Sequence, residues 1–345
     1  MLQGCYTAMI TPLRDDGSVD FGGLERLIEF QMGSGVQGLL AVGTTGESPT
    51  LLWEEHNEVI ERTCRLARDR CLAIAGTGSN STRETLGATE HAAHVGADAV
   101  LLVDPYYNGP SSLEIRREYV APVAAEFPEL QVIPYIIPGR TGAMLQTEDL
   151  AILSREYPNV TSVKEATGDL VNMAKTRRLC GDRFAILSGD DDKTVEMMTR
   201  PDIRAAGVIS VMSNVLPGPI RRLTELLARG DAAAAGTLAA AMRPLFGCVG
   251  ITTHEASPFG KVLCKARNPV PVKALMNILG MPAGPCRRPL GKLTPAGLAA
   301  LLEAARRVHA ADPSLLAPIG EFFGVDVGAR LADEASTAGL AYTEY

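Results

Sequence analysis

The stretch NVTSVKEATGD (159–169) consists of a short apolar run followed by a polar turn, and units of this kind recur along the chain. Its first part, VTSV (160–163), is typical of a buried strand, and its glycine-containing second part is typical of a turn that leads into a helix. Lys164 stands where the two parts meet. It is the first lysine of the chain, since none of the preceding 163 residues is one.

Similar apolar, β-branched runs occur eight times, and their starts are 20 to 35 residues apart. Stretches with helical periodicity lie between them, such as DFGGLERLIEFQMGSG (20–35), which begins at the N-cap candidate Asp20 and ends in glycine. Alternating units of this kind predict an α/β fold, a closed (β/α)8 TIM barrel. A doubly wound sheet would favour GxGxxG after the first strand, where this chain has TPLRDDGS. The runs are CYTAMI (from 5), VQGLLAV (from 36), CLAIAG (from 71), DAVLLV (from 98), LQVIPYII (from 130), VTSVK (from 160), FAILSG (from 184) and AAGVISV (from 205).

Three parts follow from this pattern. Residues 1–215 are predicted to form the barrel as far as strand 8. Residues 216–309 are predicted to hold helix 8 and a C-terminal helical region, which includes PVKALMNILG and TPAGLAALLEAARRV. Residues 310–345 are richer in Gly, Ala and Pro and have weak periodicity. We interpret them as an appended tail, packed either on the body of the chain or on a neighbouring copy.

Composition narrows the range of partners. The 345 residues carry a formal charge of −7 and show no basic patch, which disfavours nucleic acid and an anionic membrane surface as partners. No apolar run approaches membrane-spanning length, and the N-terminal MLQGCYTAMITP is typical of a first strand rather than a signal peptide. The seven scattered cysteines include no CxxC, so we expect no zinc site or disulfide framework and a reducing cytoplasm.

Lys164 is the first candidate for chemistry. A lysine buried at a strand end loses stability while charged, so burial lowers its pKa towards the neutral amine that Schiff-base formation requires. An unperturbed lysine is neutral in only about one molecule in a few thousand at pH 7. The alternative is a lysine that reaches solvent or pairs with Glu165. Its position in the sequence alone favours neither the reactive amine nor this structural role. Glu165 itself should point to the opposite face of the strand.

Other strand ends carry polar groups that suit small anions and proton transfer. GTTGES (43–48) offers backbone N–H groups and hydroxyls to a carboxylate, although a tight turn with a helix cap explains it as well. Tyr106 and Tyr107 are phenols that could relay protons or simply pack. Arg140 suits bidentate capture of a carboxylate, or a surface salt bridge. Asp190 and Asp191 are better explained by a turn and helix cap than by a metal, and no metal site is predicted.

Seven motifs in order make the chain resemble the dihydrodipicolinate synthase and N-acetylneuraminate lyase superfamily of Schiff-base class I aldolases. They are GTTGES, GTGSN, PYYNGP, PGRTG, VKEATG, LSGDD and GVISV, and the resemblance spans residues 2–309. PGRTG resembles the synthase branch, which implies condensation of pyruvate with L-aspartate 4-semialdehyde in the diaminopimelate and lysine pathway. The alternative within the superfamily is a pyruvate-dependent aldolase or dehydratase acting on a sugar acid. A third hypothesis is a non-enzymatic paralogue that binds such ligands for regulation.

The resemblance also implies residue roles. Lys164 would form the imine with pyruvate, Thr45 would hold the pyruvate carboxylate, and Arg140 would orient the semialdehyde. The implied proton relay consists of Thr44, Tyr135 and Tyr107, and the implied pocket lining includes Gly189 and Ile209. The Tyr107 equivalent crosses a dimer interface, which implies a homotetramer built as a dimer of dimers. The covalent imine requires no metal or nucleotide cofactor.

A lysine-feedback site is implied at the same interface. Its positions match Pro49, Trp53, His56, Asn80, Glu84 and Tyr106, and they suggest lysine as an inhibitor, although interface packing explains Trp53 equally well. One departure from the family lies in strand 5, where Pro134 and Ile136 flank Tyr135. Because proline lacks the N–H of a sheet ladder, we expect strand 5 to be distorted near Tyr135.

Overall fold

Eight parallel strands close into a barrel in the computed structural model, which describes residues 2–343. The strands pair in sequence order, and the last returns to the first with Gly4 opposite Gly207. The predicted (β/α)8 fold is therefore confirmed. The strands are β1 (Gly4–Ala8), β2 (Gly38–Ala41), β3 (Leu72–Gly76), β4 (Ala99–Val103), β5 (Gln131–Ile136), β6 (Ser162–Glu165), β7 (Ala185–Ser188) and β8 (Gly207–Ser210).

Helices surround the barrel, and polar caps fix where several of them begin. Asp20 accepts a hydrogen bond from Gly23 N at the first helix, as the sequence predicted, and Asp169 caps the helix after β6. The helices are α1 (Phe21–Gly33), α2 (Trp53–Ala67), α3 (Thr82–His94), α4 (Ser112–Glu114) joined by a π-helical segment (Ile115–Val120) to α5 (Ala121–Glu126), α6 (Pro138–Thr141), α7 (Thr147–Glu156), α8 (Leu170–Cys180), α9 (Thr194–Thr199) and α10 (Pro217–Ala228).

Two buried clusters follow from the alternation of side chains along each strand. One fills the barrel interior and includes Leu40, Ile133 and Ile209, while the other lies between the strands and the helices. Tyr135 belongs to the interior cluster, and its neighbour Ile136 belongs to the outer one. This alternation directs the site residues of the strands towards the barrel axis.

Strand β5 is continuous in spite of its proline. It pairs with β4 from Gln131 to Tyr135 and with β6 at Tyr135 and Ile136. The side of β5 that faces β6 presents Val132 N, which donates to Asn159 O, and then Pro134, which has no N–H. The strand therefore lacks one hydrogen-bond donor, at a position before its pairing with β6 begins. The expected distortion near Tyr135 was therefore wrong for the backbone pairing of this strand.

The region after the barrel contains a long β-hairpin that the sequence analysis assigned to helices. After α11 (Ala232–Phe246), strands β9 (Gly250–Ser257) and β10 (Gly260–Arg267) form an antiparallel pair, with Gly250 opposite Arg267. Helices α12 (Val270–Ile278) and α13 (Pro295–Ala311) follow it, as predicted. The helical assignment of 250–267 was wrong, because alternating partly buried and exposed residues around a Pro–Phe–Gly turn give a strand period.

The tail packs on the body of its own chain over the described residues 310–343. It contains α14 (Ala317–Phe323) and α15 (Val327–Ala332). Phe322 and Phe323 lie 5.4 and 5.2 Å from Phe30 of α1, measured between ring centroids. Arg330 donates to the carbonyl oxygens of Ile278 and Asn277 at the end of α12. Across residues 2–343, no helix is both long and apolar enough to cross a membrane.

Candidate active site

Lys164 lies buried at the C-terminal end of β6, with 4% of its surface exposed. Its Nζ is 4.2 Å from the centroid of the Tyr135 ring, and no carboxylate of the described residues lies within ion-pair distance of it. Burial lowers the pKa of Lys164 to about 8, although the more distant charges of Asp190 and Asp191 act in the opposite direction. The structure therefore favours a buried, reactive amine over a lysine that reaches solvent.

Glu165 does not pair with Lys164, because it points to the outer face of the strand. Its Oε1 accepts from Thr167 N at 2.7 Å and its Oε2 accepts from Asn172 Nδ2 at 3.3 Å. Burial raises the pKa of Glu165 to about 7. This carboxyl group thus organises the turn after β6, which agrees with the structural role predicted from strand alternation.

Tyr135 stands next to Lys164 across the β5–β6 pairing and lines a cavity of about 200 Å³. Burial raises the pKa of its phenol to about 12, against the opposing influence of the Arg140 charge and the Thr44 side chain. Thr44 and Arg140 line the same cavity. The phenol is therefore protonated at neutral pH and can donate a hydrogen bond or a proton inside the barrel.

The GTTGES turn follows β2 and combines exposed and buried donors. Thr44 is partly buried and faces the cavity, whereas Thr45 is 2% exposed. Thr45 Oγ1 accepts a hydrogen bond from Asn268 Nδ2 at 2.9 Å. Sequence reasoning did not find Asn268, which lies 223 positions from Thr45 along the chain.

A buried ion pair anchors the same turn. Glu47 has a left-handed backbone with φ 59°, and its Oε1 lies 2.7 Å from Nζ of Lys273 in α12. Both side chains are almost fully buried, and Lys273 also donates to the carbonyl oxygens of Thr11 and Pro285. Arg287 N donates to Glu47 Oε2 at 2.7 Å. The GTTGES turn is thus fixed to the region after the barrel, and the sequence analysis missed this link.

Arg140 lies in the short helix α6, at the mouth of the cavity. Its Nη2 donates to the carbonyl oxygen of Asn268 at 3.2 Å. The side chain is reachable by water, yet enough protein surrounds the guanidinium for desolvation to lower its pKa, and the nearby Arg267 lowers it further. A guanidinium placed in this way can receive a carboxylate from a ligand in the cavity.

Gly189 lies beside the lysine, and Ile209 belongs to the interior of the barrel. A Cβ at Gly189 would lie 2.7 Å from the Ala166 Cβ and 3.4 Å from Lys164 Cε, so a larger residue would press on the lysine. Ile209 is fully buried inside the barrel. The predicted turn is present at Asp191–Lys193, but the predicted helix cap was wrong, because the Asp190 side chain makes no cap hydrogen bond there. Asp191 instead accepts hydrogen bonds from Val211 N and Met212 N in the loop after β8.

Tyr107 is the one predicted relay residue that a single chain does not bring to the cavity. Its side chain is 93% exposed, and its backbone is left-handed with φ 75°. The preceding Tyr106 does line the cavity, and its backbone N–H is held by Asn80 Oδ1 at 2.7 Å. The resemblance implied that Tyr107 crosses to a neighbouring copy, and its exposed side chain in a single chain leaves that implication a prediction.

A second pocket of about 160 Å³ adjoins the first and shares Ser48, Pro49, Gly78 and Tyr106 with it. Burial lowers the pKa of His56 to about 4, and its Nε2 lies 3.1 Å from Ser48 Oγ. Five of the six residues predicted for a feedback site line this pocket, namely Pro49, Trp53, His56, Glu84 and Tyr106. The sixth, Asn80, touches it through Tyr106.

A parallel barrel that buries a lysine at a strand end beside a phenol, with no carboxylate at ion-pair distance among the described residues, has the groups that Schiff-base aldolases use. The chain belongs to the dihydrodipicolinate synthetase family, whose model matches residues 1–307. It is 40% identical over 294 residues to the 4-hydroxy-tetrahydrodipicolinate synthase of Syntrophus aciditrophicus, covering 85% of this chain and 94% of that protein. The predicted family is therefore confirmed. Its members are lyases, as the sequence analysis expected of this chain.

Solved structures agree with this assignment. The 4-hydroxy-tetrahydrodipicolinate synthase of Methylacidiphilum fumariolicum is 35% identical with a TM-score of 0.82, and the match covers 93% of this chain and 99% of that one. The lysine-bound structure from Cyanidioschyzon merolae is 33% identical with a TM-score of 0.80, covering 89% and 98%. Both matches leave part of the present chain uncovered.

Proposed function

We propose that this chain is a 4-hydroxy-tetrahydrodipicolinate synthase, which condenses pyruvate with L-aspartate 4-semialdehyde in the diaminopimelate and lysine pathway. The observation that carries the proposal is the buried, unpaired Lys164 beside Tyr135. The names of the similar proteins support the choice of reaction. They also disfavour a regulatory paralogue without catalytic activity.

In this proposal, the neutral amine of Lys164 attacks the keto carbon of pyruvate, and loss of water leaves an imine. Thr45 and the backbone of its turn hold the pyruvate carboxylate. Loss of a methyl proton then gives the enamine, whose carbon attacks the aldehyde of the second substrate. Tyr135, Thr44 and Tyr107 carry the protons. With a pKa of about 8, roughly one Lys164 in ten is neutral at pH 7.

Arg140 distinguishes the proposed substrate from a sugar acid. Its guanidinium lines the cavity and, among residues 2–343, has only the backbone carbonyl of Asn268 as a hydrogen-bond partner, so it remains available to the carboxylate of the semialdehyde. No metal or nucleotide enters the proposed reaction, because the imine itself supplies the electron sink.

A second subunit completes the proposed site. Tyr107 is exposed and cannot join the relay of its own chain, so we assign it to the cavity of a neighbouring copy in a dimer of dimers. One solved relative, 31% identical, is described as a monomeric dihydrodipicolinate synthase variant, so the family contains other states. The seven cysteines are free thiols, which supports a reducing cytoplasm as the location.

Lysine is the proposed inhibitor, bound in the pocket of about 160 Å³ beside the site. Glu84 can pair with an ammonium group there, and the similar Cyanidioschyzon merolae protein was solved with lysine bound. Titration of lysine against activity tests this directly. Activity that is unchanged at millimolar lysine would remove the feedback role.

The test of the proposed reaction compares substrates under the same conditions. Purified protein is assayed for pyruvate consumption with aspartate semialdehyde, and for pyruvate release from sugar-acid aldols. We expect turnover only in the first assay, and a loss of about 100-fold or more in kcat/KM for Arg140→Ala. Cleavage of a sugar acid that is indifferent to Arg140→Ala would move the function to the alternative substrate class.

A further inference from the structure

The long hairpin β9–β10 ends at the active site. Its last residue, Arg267, precedes Asn268, whose side chain donates to Thr45 and whose carbonyl accepts from Arg140. The base of the hairpin therefore touches both groups to which the proposed function assigns substrate carboxylates. The remainder of the hairpin projects from the body, and Phe259 at its turn is 99% exposed.

Arg140 and Arg267 each donate a hydrogen bond to the carbonyl oxygen of the residue next to the other arginine. Arg140 Nη2 donates to the carbonyl of Asn268 at 3.2 Å, and Arg267 Nη1 donates to the carbonyl of Gly139 at 3.0 Å. Each guanidinium thus holds the backbone next to the other arginine. Since Gly139 immediately precedes Arg140, the bond from Arg267 fixes the backbone from which the Arg140 side chain starts.

Both guanidinium groups lack an acidic partner. In the part of the chain that the structure describes, neither arginine forms an ion pair, whereas surface arginines such as Arg62 and Arg70 pair with glutamates. Burial lowers the pKa of Arg140 and the charge of Arg267 lowers it further, whereas Tyr135 and Asp190 act in the opposite direction. Two unpaired positive charges side by side repel each other unless an anion lies near both of them.

We infer that Arg267 is a positioning residue for the second substrate. It holds the 138–142 turn so that Arg140 faces the cavity, and it adds positive charge where the carboxylate of the aldehyde arrives. This inference rests on the proposed function, because that function assigns the aldehyde carboxylate to Arg140. Arg267 touches no reacting atom, so its effect falls on binding of the aldehyde and not on imine formation.

The first arm of the test needs no substrate. Hydrogen–deuterium exchange is followed by mass spectrometry over residues 138–142, where Arg140 N and Thr141 N donate to Ile137 O and Gly142 N donates to Pro138 O. We expect Arg267→Ala to speed exchange in this turn by about tenfold, and Lys265→Ala to leave it unchanged. Lys265 is the matched control, because its side chain lies exposed on the same face of β10 and makes no hydrogen bond among the described residues.

The second arm measures steady-state kinetics with both substrates. We expect Arg267→Ala to raise KM for aspartate semialdehyde about tenfold, with KM for pyruvate and borohydride trapping of pyruvate unchanged. Arg267→Lys, which keeps a charge and N–H donors, should recover most of the loss. A purely structural defect would alter kcat and pyruvate binding as well.

The outcomes separate the two claims. A wild-type protein that is active with the semialdehyde, paired with an Arg267→Ala variant of unchanged KM, overturns the inference and leaves the proposed function intact. A wild-type protein that traps pyruvate but ignores the semialdehyde overturns the proposed function, and with it the substrate part of the inference. In that case unchanged exchange over 138–142 would overturn the positioning role too.

Discussion

Lys164 and Lys273 are both buried, yet only Lys273 has a carboxylate partner among the described residues. Lys273 has a glutamate and two carbonyl oxygens around its ammonium group, whereas Lys164 has the ring of Tyr135 and no carboxylate partner among the described residues. Burial without a partner favours the neutral amine, and burial with a partner favours the charged one. Arginine could not replace Lys164, because its guanidinium stays protonated.

Lys164 should therefore lower the stability of the protein. Its folded-state pKa of about 8 lies below the ordinary 10.5, so the unfolded chain binds more protons between these values and stability rises with pH across this window. At pH 7 both states are protonated, and the buried charge is destabilising. We expect Lys164→Met to raise the free energy of unfolding at pH 7 on the order of 2 kcal/mol.

Urea unfolding at pH 7 and pH 9 measures this effect. The gain from Lys164→Met should be smaller at pH 9 by about 1 kcal/mol, because the wild-type lysine is then largely neutral in the folded state. A variant that is less stable than wild type at pH 7 would contradict a low pKa for Lys164.

The residue scale also shows where the sequence is informative. Lys164 could be found because it breaks an apolar run at a strand end, and Arg140 follows from the PGRTG motif at the end of strand 5. Tyr135 was implied only by the resemblance to the family. Asn268 could not be found in this way, since its contacts to Thr45 and Arg140 join positions more than 120 residues apart. The chemical roles of these residues remain predictions until variants are measured.

At the scale of elements, the GTTGES turn depends on α12. Glu47 and Lys273 form an ion pair that is almost fully buried, so removing one partner leaves a charge without compensation. We expect Lys273→Met to lower the free energy of unfolding by about 3–5 kcal/mol, opposite in sign to the same substitution at Lys164.

A double-mutant cycle with Glu47→Gln isolates the pair. Glutamine keeps an acceptor for Arg287 N and removes the charge. Chemical denaturation of the double variant should show a coupling energy of at least about 2 kcal/mol, because neither charge then remains alone. Simple additivity of the two single variants would show that the pair is not coupled in the folded protein.

Elements also differ in how far the sequence specifies them. The barrel strands are continuous apolar runs because both of their faces are buried, so they stand out from the helices between them. The hairpin β9–β10 is mostly exposed and carries polar residues on its outer face, so it lacks that signal. Strand β5 tolerates Pro134 because the missing donor falls before the ladder with β6 begins.

At the scale of the whole molecule, the tail packs on the C-terminal end of α12. The N-terminal end of this helix lies close to Asn268 at the active site. Arg330 donates from Nε to Ile278 O and from Nη2 to Asn277 O, both at 2.8 Å. We expect Arg330→Ala to lower the free energy of unfolding by about 1–3 kcal/mol, because two helix carbonyl groups lose their partner.

Thermal and urea unfolding of this variant are compared with Arg307→Ala, which changes an exposed arginine of α13 whose side chain makes no hydrogen bond in the described chain. The control should stay within about 0.5 kcal/mol of wild type. We expect kcat of both variants within about twofold of wild type, since Arg330 lies at the end of α12 away from the cavity. Equal stability of the two variants would mean that the tail contributes little through this contact.

The sequence predicted the barrel and the family because eight repeated units and seven ordered motifs extend over most of the chain. It did not decide whether the tail packs on its own chain or on a neighbour. The match to the family ends at residue 307, and short helices such as α14 give weak periodicity. Tyr107 is where a single chain stops being informative, because its phenol is exposed on a left-handed backbone and its proposed role requires a second copy.

The central claim is that Lys164 forms an imine with pyruvate that aspartate semialdehyde consumes. Borohydride reduction in the presence of pyruvate, followed by peptide mass spectrometry, tests it most directly. We predict a pyruvyl adduct on Lys164, none on the equally buried Lys273, and depletion of the adduct when the semialdehyde is added before reduction. An adduct absent from Lys164, or one that the semialdehyde leaves unchanged, would contradict this account of the protein.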